Sequence, residues 1–456
     1  MPVQPRTPQG VLELTPAQQI SFQRMVDAIR RGFERFGFLP IETPTFELAD
    51  VLLTKSGGDT EKQVYFVQST GALADGKRPE LALRFDLTVP LARYVAEHEH
   101  VLNFPFRRYQ IQRVYRGERA QKGRFREFYQ CDIDVIGKDV LPLAYDVELP
   151  AVIFGIFKEL GFGAFTIFIN NRKLLKSLLD HTGIAGDDHG FVLHEVDHLR
   201  KLGRAKVEAA LSARIPATQC SALLDALTRD WQQIRGELAG LDGASELERV
   251  YDGTLALGVP PEALKVDLSI VRGLDYYTGT VYETFLNDHP EFGSICSGGR
   301  YDNLAEHYTK SKLPGVGISI GLTRLFSQLL DAEQRAIRDN RAVEFNLSTA
   351  HRATAHAIVL NLDASLALDY ARLAGELRAA GMNTEVYGGS DKLGKQFKYA
   401  DRGGIPIALI VGSQEHAAGA VKIKDLRVVD TSICNERQVP RSEVVSAVLA
   451  LLGGNR

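Results

Sequence analysis

Residues 107–136 read RRYQIQRVYRGERAQKGRFREFYQCDIDVI, and this stretch determines the fold class that the sequence predicts. Apolar and polar residues alternate from Arg107 to Tyr115 and again from Phe125 to Ile136, with the loop Gly117 to Gly123 between them. Alternation with a period of two is typical of β-strands, and two such runs joined by a short loop predict a hairpin. Since no helix separates these strands, an antiparallel sheet is favoured over a doubly wound parallel one.

Around this hairpin, helical and strand patterns succeed one another along the chain. The N-terminal part carries a predicted helix from Pro16 to Phe36 capped by Gly37, β-rich runs at 63–68 and 80–85, and a helix at 89–97. Residues 173–253 are rich in Leu, Ala and charges, which predicts a helical insertion. Residues 356–452 alternate between strand and helix patterns, which predicts a separate α/β domain after a charged linker, Asp331 to Arg341. We therefore expect an α+β protein in four segments: 1–172, 173–253, 254–335 and 345–456.

Composition places the chain among globular proteins. It has 456 residues, 45% of them hydrophobic, and a formal net charge of -3, so a nucleic-acid partner would have to bind a local patch. Four widely spaced cysteines favour free thiols in a reducing compartment. The segment Leu149 to Ile169 is apolar but is interrupted by Lys158, Glu159 and two glycines, which favours a buried helix and strand over a membrane span. We expect a cytoplasmic protein.

Four clusters have the composition of ligand-binding sites, and each also has an ordinary structural explanation. In residues 107–126 eight basic residues face one acidic residue, Glu118, a local charge of +7 that suits phosphate or a solvated hairpin equally well. Residues 272–279 and 297–302 group Arg, Asp and Tyr with glycines, as a ligand pocket or a tight turn before a helix would. Gly315, Gly317 and Gly321 precede Arg324 where a strand leads into a helix, a place where phosphates bind and where close packing also requires glycine.

A fifth pattern is a near match to a phosphate-binding loop. Gly389, Gly394 and Lys395 have the required spacing, but Gln396 occupies the position where Ser or Thr would bind magnesium. This mismatch makes a nucleotide triphosphatase unexpected, and a basic turn that could face RNA is the preferred interpretation.

Taken in order, these segments resemble the class II aminoacyl-tRNA synthetases, and within them the histidyl-tRNA synthetase family, over nearly the whole chain. Residues 38–44, ending at Pro44, resemble motif 1 of the class; residues 116–128 resemble motif 2 and residues 315–324 motif 3. The segments 272–277 and 297–302 are similar to the two histidine signatures of the family. The resemblance implies an antiparallel-sheet catalytic core with a helical insertion and a C-terminal anticodon-binding domain.

The resemblance also implies roles for individual residues. For ATP, Arg116 would hold the α-phosphate, Phe128 would stack on adenine, Glu118 would contact the adenine amino group, and Arg324 would close the opposite face. For histidine, the α-amino group would meet Asp86, Thr88 and Gln130, and the imidazole would meet Asp134 and Tyr277. Arg272 would contact the reacting carboxylate and the α-phosphate, so that Arg272 and Arg116 would be the catalytic residues. Tyr276 and Tyr301 would complete the histidine pocket.

The family resemblance implies the partners as well: L-histidine, ATP that brings Mg²⁺, tRNA(His), and a second copy of the chain in a homodimer, with no membrane association. The runner-up is a non-catalytic paralogue similar to the regulatory subunit of ATP phosphoribosyltransferase, which keeps the synthetase core as a histidine sensor. Such paralogues typically lack the anticodon-binding domain and the ATP-binding arginines. A purely RNA-binding or scaffolding protein would explain the basic hairpin but not the tyrosine-containing signatures.

Overall fold

The chain folds into two compact units, one of Met1–Glu13 with Met25–Ala332 and the other of Leu14–Arg24 with Glu333–Arg456. The structure is a computed structural model. It describes residues 3–53, 63–117, 123–271, 277–302, 305–345, 347, 352–428 and 435–453.

An eight-stranded sheet forms the centre of the first unit. Its strands are β1 (Leu39–Pro40), β5 (Phe106–Tyr115), β6 (Glu127–Ile136), β7 (Phe165–Asn171), β8 (Leu264–Val266), β9 (Thr280–Leu286), β10 (Cys296–Tyr301) and β11 (Gly315–Ile320). They lie in the order β1-β5-β6-β11-β10-β9-β7-β8. All neighbours are antiparallel except the two edge pairs, β1 with β5 and β7 with β8. The predicted α+β class with an antiparallel core is confirmed.

The hairpin of β5 and β6 has two faces of different character. The side chains of Ile133 and Val135 are buried on one face with the rest of the apolar core. On the other face, Arg108 lies opposite Asp134 and Gln110 lies opposite Asp132, and all four are buried. Buried polar side chains are costly unless they have partners. This polar face therefore marks the part of the sheet where a ligand site is expected.

Among the described residues, five helices and a small second sheet lie in the N-terminal part of the chain, where the first nine residues of α1 belong to the second unit. The helices are α1 (Pro16–Arg35), α2 (Ala49–Leu53), α3 (Thr70–Ala74), α4 (Thr88–His98) and α5 (Ala144–Leu160). Helix α1 ends before Gly37, whose φ of 74° is the left-handed conformation expected of a C-terminal cap. The second sheet has three antiparallel strands in the order β2 (Phe46–Leu48), β4 (Leu81–Leu83) and β3 (Tyr65–Val67).

Residues 172–256 are helical, with no strand between β7 and β8. The helices are α6 (Arg172–His181), α7 (Gly186–Val196), α8 (Leu199–Leu202), α9 (Arg204–Leu211), α10 (Ala217–Thr228), α11 (Trp231–Leu238) and α12 (Ala244–Ala256). Asn171 caps α6 by accepting hydrogen bonds from the backbone of Lys173 and Leu174. Short 3₁₀ turns lie at Pro261–Ala263, Pro290–Phe292, Ala364–Leu366 and Arg441–Glu443.

Helix α13 (Leu322–Arg338) follows β11 directly, as the sequence predicts for residues 315–330. The charged segment Asp331 to Arg341, predicted as a linker, is helical as far as Arg338, and the boundary between the two compact units falls within it, between Ala332 and Glu333. Leu329 and Leu330 are buried, and Ala336 continues the buried face about two turns after Leu329. The charges that indicated a linker therefore belong to a helix that also has a buried face.

The second unit contains a five-stranded sheet in the order β13-β12-β14-β15-β16. Its elements are β12 (Ala357–Val359), α14 (Ala367–Ala379), β13 (Thr384–Val386), α15 (Leu393–Gly403), β14 (Ile407–Ile410), α16 (Ser413–Ala417), β15 (Ala420–Asp425), β16 (Glu436–Pro440) and α17 (Val444–Gly453). The predicted alternation of strand and helix is correct up to β14, and the predicted last helix is present as α17. The prediction missed α16 and the antiparallel pair of β15 and β16, which makes the sheet mixed.

The apolar segment from Leu149 to Ile169 forms the end of α5 and most of β7, as expected. In the part of the chain that the structure describes, none of the helices combines the length and the apolar character needed to cross a membrane.

Candidate active site

A cavity of about 580 Å³ opens over the polar face of the eight-stranded sheet. Nine of the residues predicted for ATP and histidine line it: Asp86, Thr88, Arg116, Phe128, Gln130, Asp134, Tyr277, Tyr301 and Arg324. Three further predicted residues, Glu118, Arg272 and Tyr276, lie outside the described residues. The sheet and the start of α4 thus bring together side chains that are up to 238 positions apart in the sequence.

Asp134 is fixed at one end of the cavity by two neighbours. Its Oδ2 forms an ion pair of 2.5 Å with Arg108, and its Oδ1 accepts a hydrogen bond of 2.8 Å from the Tyr301 hydroxyl. Burial raises the pKa of Asp134, while Arg108 and the Tyr301 hydroxyl act in the opposite direction. Because Arg108 is completely buried beneath it, the carboxylate has a compensating charge that cannot move away into solvent.

Asp86 and Thr88 reach the cavity from the N-terminus of α4. Asp86 accepts a hydrogen bond of 3.1 Å from the backbone N–H of Val89, which fixes one carboxylate oxygen at the start of the helix. Its other oxygen, Oδ2, is buried and has no hydrogen-bond partner among the described residues. Burial raises the pKa of Asp86 to about 6, although Arg116 and Arg108 lower it. A cationic ligand group would supply the missing partner.

Gln130 lies beside these carboxylates on β6. Its Nε2 donates a hydrogen bond of 2.9 Å to the Ser319 hydroxyl on β11. Its Oε1 is buried without a partner among the described residues, like the free oxygen of Asp86. This part of the cavity therefore has acceptor oxygens and lacks donors to match them.

Arginine side chains also line the cavity. Arg116 donates from Nε to the Phe85 carbonyl at 3.0 Å, and its guanidinium carbon lies 5.1 Å from the centre of the Phe128 ring. Arg324 donates from Nη2 to the Phe292 carbonyl at 2.8 Å. Burial and the nearby Arg124 lower the pKa of Arg324. Guanidinium groups beside an exposed ring face suit a phosphate chain attached to a planar base.

Glycines in β10 and β11 allow side chains to lie flat against the sheet. A Cβ atom at Gly317 would lie 2.1 Å from Oδ1 of Asp134, and one at Gly315 would lie 2.4 Å from the Tyr301 ring. At Gly299 it would lie 2.8 Å from the Tyr277 ring. The alternative of a tight turn at 297–302 is wrong, because Gly298 and Gly299 lie inside β10 and serve close packing.

Arg300 and Asp302 in the same segment have structural contacts. Arg300 projects to the opposite side from Tyr301 and forms a buried ion pair with Asp146 of α5. Asp302 accepts a hydrogen bond of 2.6 Å from the Thr278 hydroxyl, so its described contact is with the segment before β9. Both contacts fix β10, and with it Tyr301, relative to the neighbouring elements.

The basic cluster at 107–126 is not one continuous phosphate site. Arg107 forms an ion pair with Glu148, and Arg113 forms one with Glu127. Arg108 is buried against Asp134, whereas Arg116 and Arg124 line the cavity. A count of charges could not separate these roles, because consecutive residues of a strand point to opposite faces.

The segment that nearly matches a phosphate-binding loop, residues 389–396, has a structural contact at its mismatched position. Gln396 is buried and forms hydrogen bonds with the backbone of Asn361 and Asp391.

Two residues of the site were missed in the sequence: Asp132, which lines the cavity, and Arg108, which supports Asp134. The signal was present in the period-two alternation of β6, which places Gln130, Asp132 and Asp134 on one face. The pairing of β5 with β6 also places Arg108 opposite Asp134, but this register could not be read from the sequence alone.

Comparison with known proteins agrees with this geometry. Residues 10–325 match the family model described as histidyl-tRNA synthetase, and residues 356–451 match a model described as an anticodon binding domain. The chain belongs to the histidyl-tRNA synthetase family. The predicted family and enzyme class, a ligase of histidine to tRNA, are thereby confirmed.

Individual members of the family are similar over nearly their whole length. A histidine–tRNA ligase from Xanthomonas campestris pv. campestris is 54% identical, with 93% of this chain and 92% of the relative covered. One from Xylella fastidiosa strain M23 is 53% identical, with 98% of both covered. The crystal structure of histidyl-tRNA synthetase from Nostoc sp. PCC 7120 has a TM-score of 0.86 and 36% identity, with 99% of this chain and 100% of that one covered.

A more distant structure is relevant to the alternative hypothesis of a non-catalytic histidine sensor. A Bacillus halodurans protein described as an ATP phosphoribosyltransferase regulatory subunit/histidyl-tRNA synthetase has a TM-score of 0.70 at 21% identity, covering 88% of this chain and 97% of that one. At that identity the likeness shows the fold alone. The match of residues 356–451 to an anticodon binding domain, together with Arg116 and Arg324 in the cavity, favours the synthetase over a histidine sensor.

Proposed function

We propose that the cavity binds L-histidine at its carboxylate end and ATP at its arginine end, and joins them as histidyl-adenylate before transfer to tRNA(His). The observation that carries this proposal is that side chains of both charges line one cavity. The carboxylates of Asp86 and Asp134 line it together with the guanidinium groups of Arg116, Arg124 and Arg324. A zwitterionic amino acid that must present its carboxylate to a nucleotide phosphate matches this distribution of charge.

At the carboxylate end, the imidazole meets Asp134 and Tyr277, and Tyr301 holds Asp134 in place through its hydroxyl. Asp86, Thr88 and Gln130 bind the α-ammonium group, with Tyr276 completing the pocket. Support comes from the ion pair of Asp134 with Arg108, which favours the charged form of this carboxyl group. A charged acceptor for the imidazole N–H favours histidine over apolar side chains of similar size, since those would leave the carboxylate without a partner.

At the arginine end, Phe128 stacks on adenine, Glu118 contacts its amino group and Arg324 closes the opposite face. Arg116 holds the α-phosphate and, with Arg272, stabilises the charge that develops as the histidine carboxylate attacks the α-phosphorus and pyrophosphate leaves. Such a reaction needs no nucleophile from the protein, because positioning and charge stabilisation supply the catalysis.

Mg²⁺ enters this proposal with ATP. The ion prefers oxygen ligands and often takes them from substrate phosphates and water. Among the described residues, no group of three or more His, Cys, Asp or Glu side chains is placed to hold a metal ion. The phosphates would therefore be the main ligands. We assign the protein to the cytoplasm, because the proposed reaction charges tRNA for protein synthesis.

The small sheet supports a homodimer. On one of its faces lie six apolar side chains: Phe46, Leu48, Tyr65, Val67, Leu81 and Leu83. Phe46 and Leu48 are 53% and 50% exposed, although the opposite face of the same sheet buries Ala82. A contiguous exposed apolar face marks an interaction surface. The sheet directly follows Pro44 of motif 1, and we assign this face to a second copy of the chain related by a two-fold axis.

The C-terminal unit is assigned to the anticodon region of the tRNA. Lys395, Lys398 and Arg402 are exposed on α15 at spacings of three and four residues, which places them on one face of the helix. Tyr399 is also exposed and packs edge-on against Tyr387. Cations that reach phosphates beside aromatic rings that can stack on bases are the usual components of single-stranded RNA recognition.

Two cavity variants test the division of the site. Asp134→Asn removes the charged acceptor for the imidazole, so we expect the KM for histidine to rise at least about tenfold while the KM for ATP stays nearly constant. Phe128→Ala removes the stacking surface for adenine, so the reverse pattern is expected. Steady-state pyrophosphate exchange with each substrate varied in turn measures both constants. Equal changes in both constants for either variant would contradict separate binding ends.

A further inference from the structure

Asp132 lies on β6 between Gln130, which is assigned to the α-ammonium group of histidine, and Asp134, which is assigned to its imidazole. On β6 it shares a face with Gln130 and Asp134, and on β11 its neighbour is Ser319. It is only 3% exposed, yet it lines the cavity. The assignments for ATP and histidine above give it no role.

One oxygen of Asp132 lacks a partner. Its Oδ1 makes no hydrogen bond with any described residue. The same is true of Oδ2 of Asp86 and Oε1 of Gln130. Thus three residues lining one cavity each have a buried acceptor oxygen without a donor. Leaving such an atom without a partner costs folding free energy, so its retention calls for an explanation.

The charges around Asp132 do not balance. Asp86 faces it from the start of α4 and Asp134 from β6, and both raise its pKa; Arg108 on β5 lowers it. The thiols of Cys131 and Cys296 also lie near, and burial raises their pKa values, which keeps them neutral. Arg108 is already paired with Asp134. Three carboxylates therefore share one buried arginine, while Arg116 lies near Asp86.

Burial and these neighbouring charges together raise the pKa of Asp132 to about 7, even though Ser319 and Arg108 lower it. A carboxyl group with this pKa is partly protonated at neutral pH. A cation bound between Asp132 and Asp86 would stabilise the ionised form of both.

We propose that Asp132 is a second carboxylate partner of the substrate's α-ammonium group, together with Asp86 and Gln130. An ammonium group has three N–H donors, and the cavity offers three acceptor oxygens without partners. The inference rests on the proposed orientation of histidine, with its imidazole at Asp134. Asp132 is thus a binding residue for the amino group that every amino acid has, whereas Asp134 selects the side chain.

A pair of matched ligands separates this role from a general effect on the pocket. Histidinol has the imidazole and the ammonium group, and 3-(imidazol-4-yl)propan-1-ol is the same molecule without the amino group. Asp132→Asn keeps the shape of the side chain and removes its charge. At pH 8 we expect this variant to bind histidinol about tenfold or more weakly by calorimetry, and the amino-free ligand within about twofold of the parent.

Two outcomes would overturn the proposal: an equal loss for both ligands, which indicates a disturbed pocket, or no loss for histidinol. Asp134→Asn is the control for the underlying orientation, because both ligands carry the imidazole and both should bind more weakly to it. If Asp134→Asn changed neither affinity, the assignment of the imidazole would fail, whatever Asp132→Asn does.

The parent protein offers an independent test that needs no variant. After each affinity is corrected for the measured imidazole pKa of its own ligand, the ratio of histidinol affinity to that of the amino-free ligand should fall as the pH is lowered from 8 to 6, because Asp132 and Asp86 must be ionised to accept the ammonium group. The correction is needed because the ammonium group of histidinol makes its imidazole less basic than that of the amino-free ligand. A constant ratio over this range would overturn the proposal even if Asp132→Asn failed to fold.

Discussion

Arg108, Asp134 and Tyr301 form a continuous polar chain at the proposed histidine end of the cavity. Arg108 has no exposed surface and forms an ion pair with the carboxylate of Asp134. Asp134 in turn accepts from the Tyr301 hydroxyl. Arg108 and the Tyr301 hydroxyl both favour the charged form of Asp134 and so oppose the effect of burial, which raises its pKa.

Asp132 lacks such compensation, and its effect on stability should depend on pH. Its pKa is about 7 in the ligand-free fold and near the ordinary value of 3.8 in the unfolded chain. Between these values the folded protein retains a proton that the unfolded chain has lost, so stability falls as the pH rises from about 4 to about 7 and stays reduced above. Asp132→Asn cannot ionise and removes this penalty.

We therefore expect Asp132→Asn without ligand to melt at a higher temperature than the parent at pH 8, with a difference that shrinks towards zero near pH 4. Calorimetric melting at pH 4, 6 and 8 measures this. A difference that stays the same at all three pH values would show that Asp132 does not titrate in this way.

At the scale of elements, the sequence was most informative where periodicity is strong. The hairpin of β5 and β6 was predictable because apolar and polar residues alternate within each strand, from Tyr109 to Gln112 and from Gln130 to Val135. Strand β10 was less so: Gly298 and Gly299 indicate a turn by local preference, and only the packing of Tyr277 and β11 explains glycine in a strand. Strand β16 is short, polar and mostly exposed at the edge of its sheet, so it lacks an apolar pattern.

Some residues of the site could be predicted from the sequence and others could not. Resemblance to the family motifs assigned residues to ATP and histidine, and the nine of these that the structure describes all line the cavity. Arg108 could not, since its role depends on the register between two strands and on burial. Asp132 could not either, because its significance lies in an oxygen without a partner, which only the three-dimensional arrangement reveals.

Strand β11 supplies a direct test of how the sheet positions Asp134. In Gly317→Ala the new methyl group would collide with Oδ1 of Asp134, so the carboxylate must move. A displacement of this size near a reacting group is expected to reduce histidine-dependent pyrophosphate exchange by about a hundredfold. Gly155→Ala on α5 is the control, because no atom lies within 4 Å of the position of its Cβ. Equal activity of the two folded variants would contradict the role of Gly317.

At the scale of the whole molecule, the first expectation concerns the homodimer. Replacing Phe46 and Leu48 together by Glu places two charges on the exposed apolar face of the small sheet, and burying them against a second copy would be costly. We expect the parent to be a dimer at micromolar concentration by light scattering and this variant to be a monomer. Leu368→Glu, at a residue 72% exposed in the other unit, should remain a dimer. A monomeric parent would contradict the assignment.

The second expectation concerns the C-terminal unit. Replacing Lys395, Lys398 and Arg402 by Ala should lower kcat/KM for tRNA charging and weaken its dependence on salt, because fewer phosphates are neutralised. Pyrophosphate exchange without tRNA should not change, since these residues belong to the unit without the cavity. Arg372→Ala, an exposed substitution on α14, is the control. A parallel loss of exchange and charging would argue against a separate RNA-binding role.

The central claim is that this chain activates histidine in a cavity with one anionic and one cationic end. Amino-acid-dependent exchange of labelled pyrophosphate into ATP, measured with each of the twenty amino acids, tests it most directly. The account predicts exchange with histidine and none above background with the others, since the acceptor at Asp134 requires an imidazole N–H. Exchange with a different amino acid, or none with histidine in a folded protein supplied with ATP and Mg²⁺, would contradict it.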